Sequence, residues 1–352
     1  MPYVRCQMKR CQMGRCQIPD KKVAHRDTEG TEFKSFFNFY LQLFPFSALC
    51  FAAFSSSPVC CAIPGTFNSP HHLITPSLHH SITPYLCLMD FKPILDQALI
   101  VAREASDFIH SQAGKVTEGE IITKSRNSLV SYVDQTAEEI LVRGLGKILP
   151  EAGFITEEET VERRFSEFTW IIDPLDGTTN FLQQIPVYSV SIGLQYKDQL
   201  VLGIVSDVEQ HEMFYAWKGG GAWCNGHPIR VSTRTDVQEA VVATGFPYAS
   251  RDVLPQLTAA FEYFLKNAKG IRRLGSAAID LAYVACGRFD VYYETTLNPW
   301  DIAGGIILVE EAGGKVSDFN GADRMMDNGQ VIAAPSQLHN TVYTHIHSIF
   351  GT

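Results

Sequence analysis

Two aspartates three residues apart are the side chains best placed to do chemistry in this sequence. Asp173 and Asp176 lie in the stretch WIIDPLDGTTNF, which occupies 170–181. An apolar strand is predicted over 169–172, and Pro174 is expected to take the chain out of the sheet because proline fixes φ and has no backbone N–H donor. Two carboxylates turned toward one point repel each other unless a cation lies between them. The stretch therefore predicts a divalent-cation site at a strand end.

The residues that follow predict a phosphate site beside this cation. Gly177 lets the backbone approach a ligand, and Gly177, Thr178 and Thr179 could present N–H groups at the start of a helical turn, where phosphate binds well. An ordinary turn at a strand end has the same pattern, and on DPLDG alone that interpretation is favoured. Two further stretches shift the balance toward function: FITEEE at 154–159 and NPWDIAGG at 298–305.

These stretches together resemble the inositol monophosphatase family of Mg²⁺-dependent, lithium-sensitive phosphatases. Its signatures W-x-x-D-P-[LI]-D-G-T-[TS]-N-[FY] and W-D-[VI]-A-[AG]-[GA] stand at 170–181 and 300–305. The resemblance runs from about Met89 to the C-terminus and is closest to the bacterial-type inositol-1-monophosphatases. It implies an α/β (α+β) fold, the family's layered α-β-α-β-α sandwich, and a homodimer.

The resemblance also implies a set of metal ligands. One Mg²⁺ is expected on Glu157, Asp173 and the Leu175 carbonyl, and a second on Asp173, Asp176 and Asp301. A third, weaker ion is expected on Glu157 and waters. Mg²⁺ takes hard oxygen ligands and keeps several waters, one of which can act as the nucleophile.

The implied catalytic and substrate-binding residues surround these ligands. Thr178, backed by Asp134, is expected to orient and help deprotonate the attacking water, with Glu157 and Lys124 beside it. The expected substrate contacts are Asp176, Gly177, Thr178, Ala277 and Glu294. From sequence alone, Asp134 is about equally well explained as a helix N-cap, Lys124 as a surface lysine and Glu294 as a strand-end acid. Glu158 and Glu159 are expected to be solvated.

The expected reaction is hydrolysis of a small sugar-like phosphate monoester, first of all myo-inositol 1-phosphate. Thr179, Asn180 and Phe181 favour the inositol monophosphatase branch of the family. Fructose 1,6-bisphosphate and histidinol phosphate stay open as substrates, since relatives on the same scaffold use them. A non-catalytic role, as a regulatory binding protein on this scaffold, is the alternative of a different class.

Charge and cysteine content divide the 352-residue chain at residue 89. Residues 1–88 contain eight Lys and Arg and four Asp and Glu, whereas residues 89–352 contain 21 and 34 and carry a net charge of −13. Such an acidic body argues against nucleic-acid binding and suits a protein that binds divalent cations. Only two of the nine cysteines, Cys224 and Cys286, lie in this body. It is therefore expected to be a reduced, cytoplasmic protein without a disulfide framework.

Residues 1–88 are predicted to be an N-terminal extension outside the folded protein, either a misassigned start or disordered. Residues 89–352 are predicted to be an inositol monophosphatase-like catalytic domain. The five-residue repeat around Cys6, Cys11 and Cys16 lacks the paired cysteines of a zinc site. The apolar run 36–54 is near the length of a membrane span but is interrupted by polar residues and proline. The favoured interpretation is upstream sequence translated in frame, with the native start at Met89, and no membrane association is expected for the catalytic domain. An export signal and a genuine extension are the alternatives.

From Met89 onward, hydrophobic periodicity predicts an alternating α/β chain. The predicted helices are 93–114, 133–149, 252–266, 277–285, one after Trp300 and one after Gln337. The predicted strands are 190–194, 200–205, 212–217 and 289–293, in addition to the one before Asp173.

Deletion of residues 1–88 is expected to leave folding and activity intact, because that segment has no helical or strand pattern that the body needs. Soluble yield, thermal unfolding and phosphate release of the protein started at Met89 would be compared with those of the full chain. Loss of soluble, active protein would contradict this prediction.

Overall fold

The computed structural model describes residues 89–351 except 118, 120, 126, 127, 165 and 248–251, and it describes no side chains over 122–130. The hypothesis for residues 1–88 lies outside the described residues. Within the described part, no helix is both long and apolar enough to span a membrane.

Helices and strands alternate along the chain as the periodicity predicts. The described helices are α1 (Lys92–Gln112), α2 (Tyr132–Ile148), α3 (Thr178–Leu182), α4 (Leu254–Asn267), α5 (Ala277–Ala285), α6 (Pro299–Glu311), α7 (Met325–Asn328) and α8 (Ser336–Phe350). The described strands are β1 (Ile122–Ser125), β2 (Ser128–Val130), β3 (Gly153–Thr156), β4 (Phe168–Asp176), β5 (Ser189–Tyr196), β6 (Gln199–Asp207), β7 (Glu212–Trp217), β8 (Gly221–Cys224), β9 (His227–Ile229), β10 (Val241–Thr244), β11 (Gly270–Arg272), β12 (Val291–Glu294), β13 (Gly314–Ser317) and β14 (Val331–Pro335).

The strands form two large sheets and one hairpin. The seven-stranded sheet has the order β3-β4-β5-β6-β7-β8-β9 and is antiparallel except for the parallel pair β3 and β4. The five-stranded sheet has the order β11-β10-β12-β14-β13, and β11, β10 and β12 in it are parallel. Strands β1 and β2 pair separately as an antiparallel hairpin.

Three buried clusters hold five layers together. Helices α1 and α2 cover the outer face of the seven-stranded sheet through residues such as Leu95 and Leu141. Helices α5 and α6 fill the space between the sheets with Leu281, Ile306 and their neighbours. Helices α4 and α8 cover the outer face of the five-stranded sheet, where Phe264 is fully buried. The predicted α-β-α-β-α sandwich is confirmed.

The amphipathic pattern of α1 explains why it forms and which face it buries. Proline near its start suits the first turn of a helix, where no intrahelical partner for the N–H is lost. The fully buried positions recur at intervals of three and four residues: Leu95, Ala98, Ala102, Ala105 and Ile109. One face of the helix is therefore apolar and lies against the sheet.

Helix α6 lies unusually close to the seven-stranded sheet because glycines remove side chains from both surfaces. A Cβ atom on Gly203 of β6 would lie 2.4 Å from the Gly304 carbonyl oxygen, and one on Gly193 of β5 would lie 2.6 Å from Ala303 Cβ. A Cβ on Gly304 itself would lie 2.9 Å from the Ile204 carbonyl oxygen. The small residues of WDIAGG are thus required for this helix–sheet contact.

The expectation that the chain leaves the sheet at Pro174 is wrong. Strand β4 continues to Asp176, and its ladder with β5 pairs Asp173 with Ser191 and Asp176 with Ser189. Three steps along β4 therefore face two steps along β5, which is a β-bulge. The bulge places Pro174 where no ladder N–H is needed, so the strand can pass through the proline.

We expect Gly203→Ala to destabilise the fold, because the added methyl group would overlap α6. Overpacking of a close contact typically costs about 1–3 kcal/mol in the free energy of unfolding. Thermal and denaturant unfolding would measure the loss. Gly119→Ala is the matched control, because a Cβ there would have no heavy atom of the described residues beyond its chain neighbours within 4 Å. Equal stability of the two variants would contradict the importance of this contact.

Candidate active site

Parallel pairing of β3 and β4 brings the first two predicted metal ligands together. Thr156 is opposite Ile172 in the ladder, so Glu157, the residue directly after β3, comes next to Asp173 of β4. Asp173 is 2% exposed. Its burial raises its pKa well above the usual range, and the nearby carboxylates of Glu157, Asp176 and Asp301 raise the pKa further. Four of the predicted acidic ligands therefore lie close enough to repel one another.

The first turn of α5 fixes Asp176. Its Oδ2 atom accepts hydrogen bonds from Ser276 Oγ at 2.6 Å and from the Ala278 N–H at 2.8 Å. Burial raises the pKa of Asp176 to about 6, although these two donors and the Arg273 guanidinium favour the charged form. Sequence reasoning missed Ser276, whose position one residue before a predicted helix was an available signal for a capping residue.

Asp301 is fixed by the start of its own helix. Its Oδ2 atom accepts a hydrogen bond from the Asn298 N–H at 2.7 Å, which is half of a capping box at the N-terminus of α6. Burial and the neighbouring Asp176 raise the pKa of Asp301 to about 7. The contact of α6 with the sheet then holds this carboxylate beside β4.

The three aspartates share a feature that suits metal binding. Each is oriented by donors at one oxygen, and for Asp173 this is Oδ1, which accepts from the Leu175 N–H at 3.0 Å. No three Asp, Glu, His or Cys side chains of the described residues surround one point at ligand spacing. Mg²⁺ is usually bound by one or two carboxylates, waters and substrate oxygens, not by an all-protein cage. The hard, mutually repelling oxygens present here fit that ion.

Thr178 and Asp134 meet as the family resemblance implies. Thr178 Oγ1 lies 3.1 Å from Asp134 Oδ1 and 3.0 Å from the Leu175 carbonyl oxygen, so its single proton has two possible acceptors. The alternative that Asp134 is an N-cap is wrong, because the N-cap of α2 is Ser131. Asp134 Oδ2 accepts from the N–H and Oγ of Ser131, both at 2.8 Å. One carboxylate therefore closes the helix start and also reaches the site.

Glu138, one helical turn after Asp134, is a site residue that sequence reasoning missed. It is fully buried, and its carboxylate accepts from the Glu158 N–H at 2.8 Å and from the N–H and Oγ1 of Thr160 at 2.7 Å. These bonds hold the loop that directly follows Glu157. The four-residue spacing from Asp134 was the available signal, since i and i+4 share a helix face.

The remaining expectations about this loop and its surroundings have mixed outcomes. Glu159 is exposed, as expected, but Glu158 is half-buried and not solvated. Lys124 lies in β1, and its side chain is outside the described residues. Gly177 adopts a φ of +93°, a left-handed conformation that favours glycine, and it precedes α3.

A cavity of about 140 Å³ brings the predicted substrate residues to the metal ligands. Asp176 and Asp301 line one part of it, together with Ala277 and Glu294. Burial raises the pKa of Glu294 to about 7, while the Tyr292 hydroxyl donates to its Oε2 atom at 2.7 Å. Six further lining residues were not predicted, and three of them have polar or charged side chains: Arg273, Ser276 and Asp280.

Asn180, singled out only as a branch marker, has a structural role beside the cavity. Its Nδ2 atom donates to the carbonyl oxygens of Val187 at 2.8 Å and Leu274 at 2.9 Å. It thereby joins the segment after the DPLDGTT stretch to the loop that leads into α5. Together with the bonds from Ser276 and Ala278 to Asp176, this amide holds the two walls of the site together.

Comparison with known proteins shows the family to which the chain belongs. Residues 90–350 match the model of the inositol monophosphatase family. The chain is 40% identical over 241 residues to an inositol-1-monophosphatase of Mesorhizobium japonicum, covering 68% of this chain and 91% of that protein. It is 37% identical over 255 residues to the Nus factor SuhB of Pasteurella multocida, covering 72% and 96%. The crystal structure of extragenic suppressor protein suhB from Bartonella henselae aligns with a TM-score of 0.69 at 33% identity, covering 72% of this chain and 98% of that one.

We expect Glu138→Gln to weaken Mg²⁺ binding and turnover, because its amide nitrogen would face donors of the loop that follows Glu157. Changes to groups that orient metal ligands typically cost about 10- to 100-fold in affinity or activity. Calorimetry would measure Mg²⁺ affinity, and phosphate release would measure turnover. Excess Mg²⁺ should restore part of the activity.

Glu139→Gln is the matched control, since Glu139 is the exposed neighbour on the same helix. The role assigned to Glu138 would be wrong if the two variants had the same Mg²⁺ affinity and turnover.

The raised pKa values of Asp176 and Asp301 predict that the metal-free protein loses stability with rising pH. Their folded values of about 6 and about 7 lie above the ordinary 3.8. Such a group stabilises the fold fully below its unfolded pKa, and this contribution is lost as the pH rises through the folded pKa. Without divalent cations, Tm is expected to be lower at about pH 8 than at about pH 5.

Added Mg²⁺ should raise Tm more at about pH 8 than at about pH 5, because metal binding requires deprotonated carboxylates. The double variant Asp176→Asn, Asp301→Asn is the control and should lose most of this difference. A larger gain from Mg²⁺ at the lower pH would overturn the prediction.

Proposed function

Since the chain belongs to the inositol monophosphatase family, we propose that it hydrolyses a small sugar-like phosphate monoester, with myo-inositol 1-phosphate as the first candidate. The products of that reaction are myo-inositol and inorganic phosphate. Family membership supports a phosphatase; the choice of ester rests on the signature residues and on the cavity.

The observation that carries the proposal is the convergence of four carboxylates, two of which, Asp176 and Asp301, line the cavity. Asp173 and Asp176 lie in β4, Asp301 lies in α6, and Glu157 directly follows β3. The carboxylates of Glu157, Asp176 and Asp301 are all close enough to Asp173 to raise its pKa. Burying like charges together is costly unless a cation neutralises them. A site built this way is suited to a divalent cation and a phosphate, and it has no evident purpose in stability alone.

When bound, Mg²⁺ would neutralise charge on the phosphate oxygens and lower the pKa of a coordinated water. Glu157, Asp173, Asp176, Asp301 and the Leu175 carbonyl are the groups that would hold it. Hydrogen-bond donors already orient three of these groups, Asp173, Asp176 and Asp301.

The chain's own groups would then orient the water and the ester. With the Leu175 carbonyl engaged as a ligand, Thr178 Oγ1 donates its proton to Asp134 Oδ1, and its lone pairs are left to accept a hydrogen bond from the attacking water. The N–H groups of Gly177 and Thr178 would bind the phosphate, and Ala277 would contact the substrate. Lys124 is proposed beside the same water.

Lithium inhibition, a homodimer and a cytoplasmic location are further properties that the resemblance or the composition favours. Each of them stays a prediction. Lithium inhibition can be measured in the same assay as activity, and the mass of the native protein in solution tests the dimer.

Phosphate release from myo-inositol 1-phosphate, fructose 1,6-bisphosphate and histidinol phosphate tests the proposal, with Mg²⁺ and with a chelator. Activity should require Mg²⁺ and be greatest on the inositol ester. Asp176→Asn should lower kcat/KM by about 10²–10³, the usual effect of one well-placed electrostatic group. Asp301→Asn should act similarly, and the double variant should lose much less than the product of both effects because the groups act as a unit.

Glu159→Gln is the control and should be nearly neutral, since that side chain is exposed. Full activity in excess chelator would contradict the site, whereas activity confined to another ester would correct only the substrate.

A regulatory binding role is the second candidate, because a relative 37% identical over 255 residues is named a Nus factor. The two roles can be separated by Asp176→Asn, which should lower hydrolysis steeply and leave the surface unchanged. No phosphate release from any ester in the panel would favour the binding role.

A further inference from the structure

Asp280 is a buried carboxylic acid that the proposed reaction does not use. It lies in the first turn of α5, is 1% exposed and lines the same cavity as Asp176 and Glu294. Its Oδ1 atom is buried, and no residue of the described part of the chain donates a hydrogen bond to it. A buried acceptor without a donor is unfavourable, so its presence calls for an explanation.

Two buried aspartates outside the site, Asp290 and Asp318, have protein donors at both oxygens. Asp290 accepts from Ser232 Oγ and Arg234 Nη1 at one oxygen and from the Val241 N–H at the other. Asp318 likewise has donors at both oxygens. Asp280 differs from them in its place at a cavity, where a donor can come from a bound molecule.

We propose that Asp280 is a specificity-determining residue whose carboxyl group binds a hydroxyl of the leaving alcohol. This rests on the proposed function, because the cavity must hold a phosphate ester for an alcohol to reach it. The cavity's phosphate end is at Asp176 and Asp301. Asp280 and Glu294 line the same cavity and are close enough to affect each other electrostatically. They therefore offer two acceptors to one alcohol.

The chemistry of this wall favours a polyhydroxylated alcohol over one carrying a second phosphate. Hydroxyl groups can donate to both Asp280 and Glu294, whereas a second phosphate would place a dianion beside two acidic groups. The Arg273 guanidinium faces these acids and acts on Asp176, Asp280 and Glu294 together. Its charge is therefore already shared among three carboxyl groups.

The test compares two esters of the same ring, myo-inositol 1-phosphate and cyclohexyl phosphate, on the full chain with Mg²⁺. Asp280→Ala should raise KM for the inositol ester about 10- to 100-fold, the range expected for a lost hydrogen bond to an ionisable group. Its kcat/KM for cyclohexyl phosphate should be unchanged, because that ring has no hydroxyl to lose. Asp280→Asn, which keeps the shape and one carbonyl acceptor, should recover part of the discrimination.

Asp290→Asn is the matched control, being an equally buried aspartate whose partners are all protein groups. It should lower Tm while leaving the ratio of kcat/KM values for the two esters as in the unaltered protein. An equal loss on both esters in Asp280→Ala, or no loss on either, would overturn the proposal. The proposal would also be overturned if the unaltered protein preferred fructose 1,6-bisphosphate and Asp280→Ala abolished that preference.

Binding measured apart from turnover separates this proposal from the proposed function. Calorimetry with Ca²⁺ in place of Mg²⁺ would record the affinity for myo-inositol 1-phosphate in both proteins. Weaker binding in Asp280→Ala without any hydrolysis by the unaltered protein would remove the proposed function and keep the hydroxyl contact. Equal affinities, or no binding by the unaltered protein, would overturn the contact.

Discussion

The close approach of α6 to the seven-stranded sheet is the contact on which the rest of the architecture depends. Gly193 and Gly203 on the sheet and Gly304 on the helix let two backbones meet where ordinary side chains would keep them apart. Because Asp301 lies in the first turn of α6, the position of the helix also sets the position of that carboxylate. The same helix–sheet contact therefore requires small residues in the core and sets the position of an acid at the cavity.

The site itself is an arrangement of like charges that the fold holds in place from outside. Ser276 and Ala278 bind Asp176, Asn298 binds Asp301, and Glu138 binds the loop beside Glu157. The donors to Asp176 and Asp301 oppose the protonation that burial promotes. The protein thus keeps anionic oxygens in a partly dehydrated cavity, where their attraction for a cation is stronger than it would be in water.

How much of the fold could be predicted from the sequence depends on whether the interactions that form each element are local or long-range. The helix over Ala277–Ala285 and the strand over Glu212–Trp217 were predicted with their observed bounds because hydrophobic periodicity is local. The layered sandwich came from the family resemblance alone. Strands such as β10, β11 and β14 were not predicted, since these short apolar segments become strands only by pairing with distant partners.

The same distinction applies to the site. Signature residues such as Asp173 and Asp176 could be identified because the motif is contiguous. Asp280 and Arg273 could not, because nothing in the sequence shows that α5 and the loop before it meet the end of β4. Glu138 lies between these cases: its helix was predicted, but its loop partner 20 residues away was not.

The bulge in β4 decides which face of the sheet the two aspartates project from. In a regular strand, residues an odd number of positions apart project from opposite faces. Asp173 and Asp176 are three positions apart, yet they pair with Ser191 and Ser189, which are two apart and share a face of β5. Because of the extra residue, two aspartates that are three positions apart in sequence pair with residues that are two positions apart. Both aspartates therefore project from the same face of the sheet. It also leaves Leu175 without a ladder partner on β5, and the carbonyl released in this way is the one that Thr178 contacts.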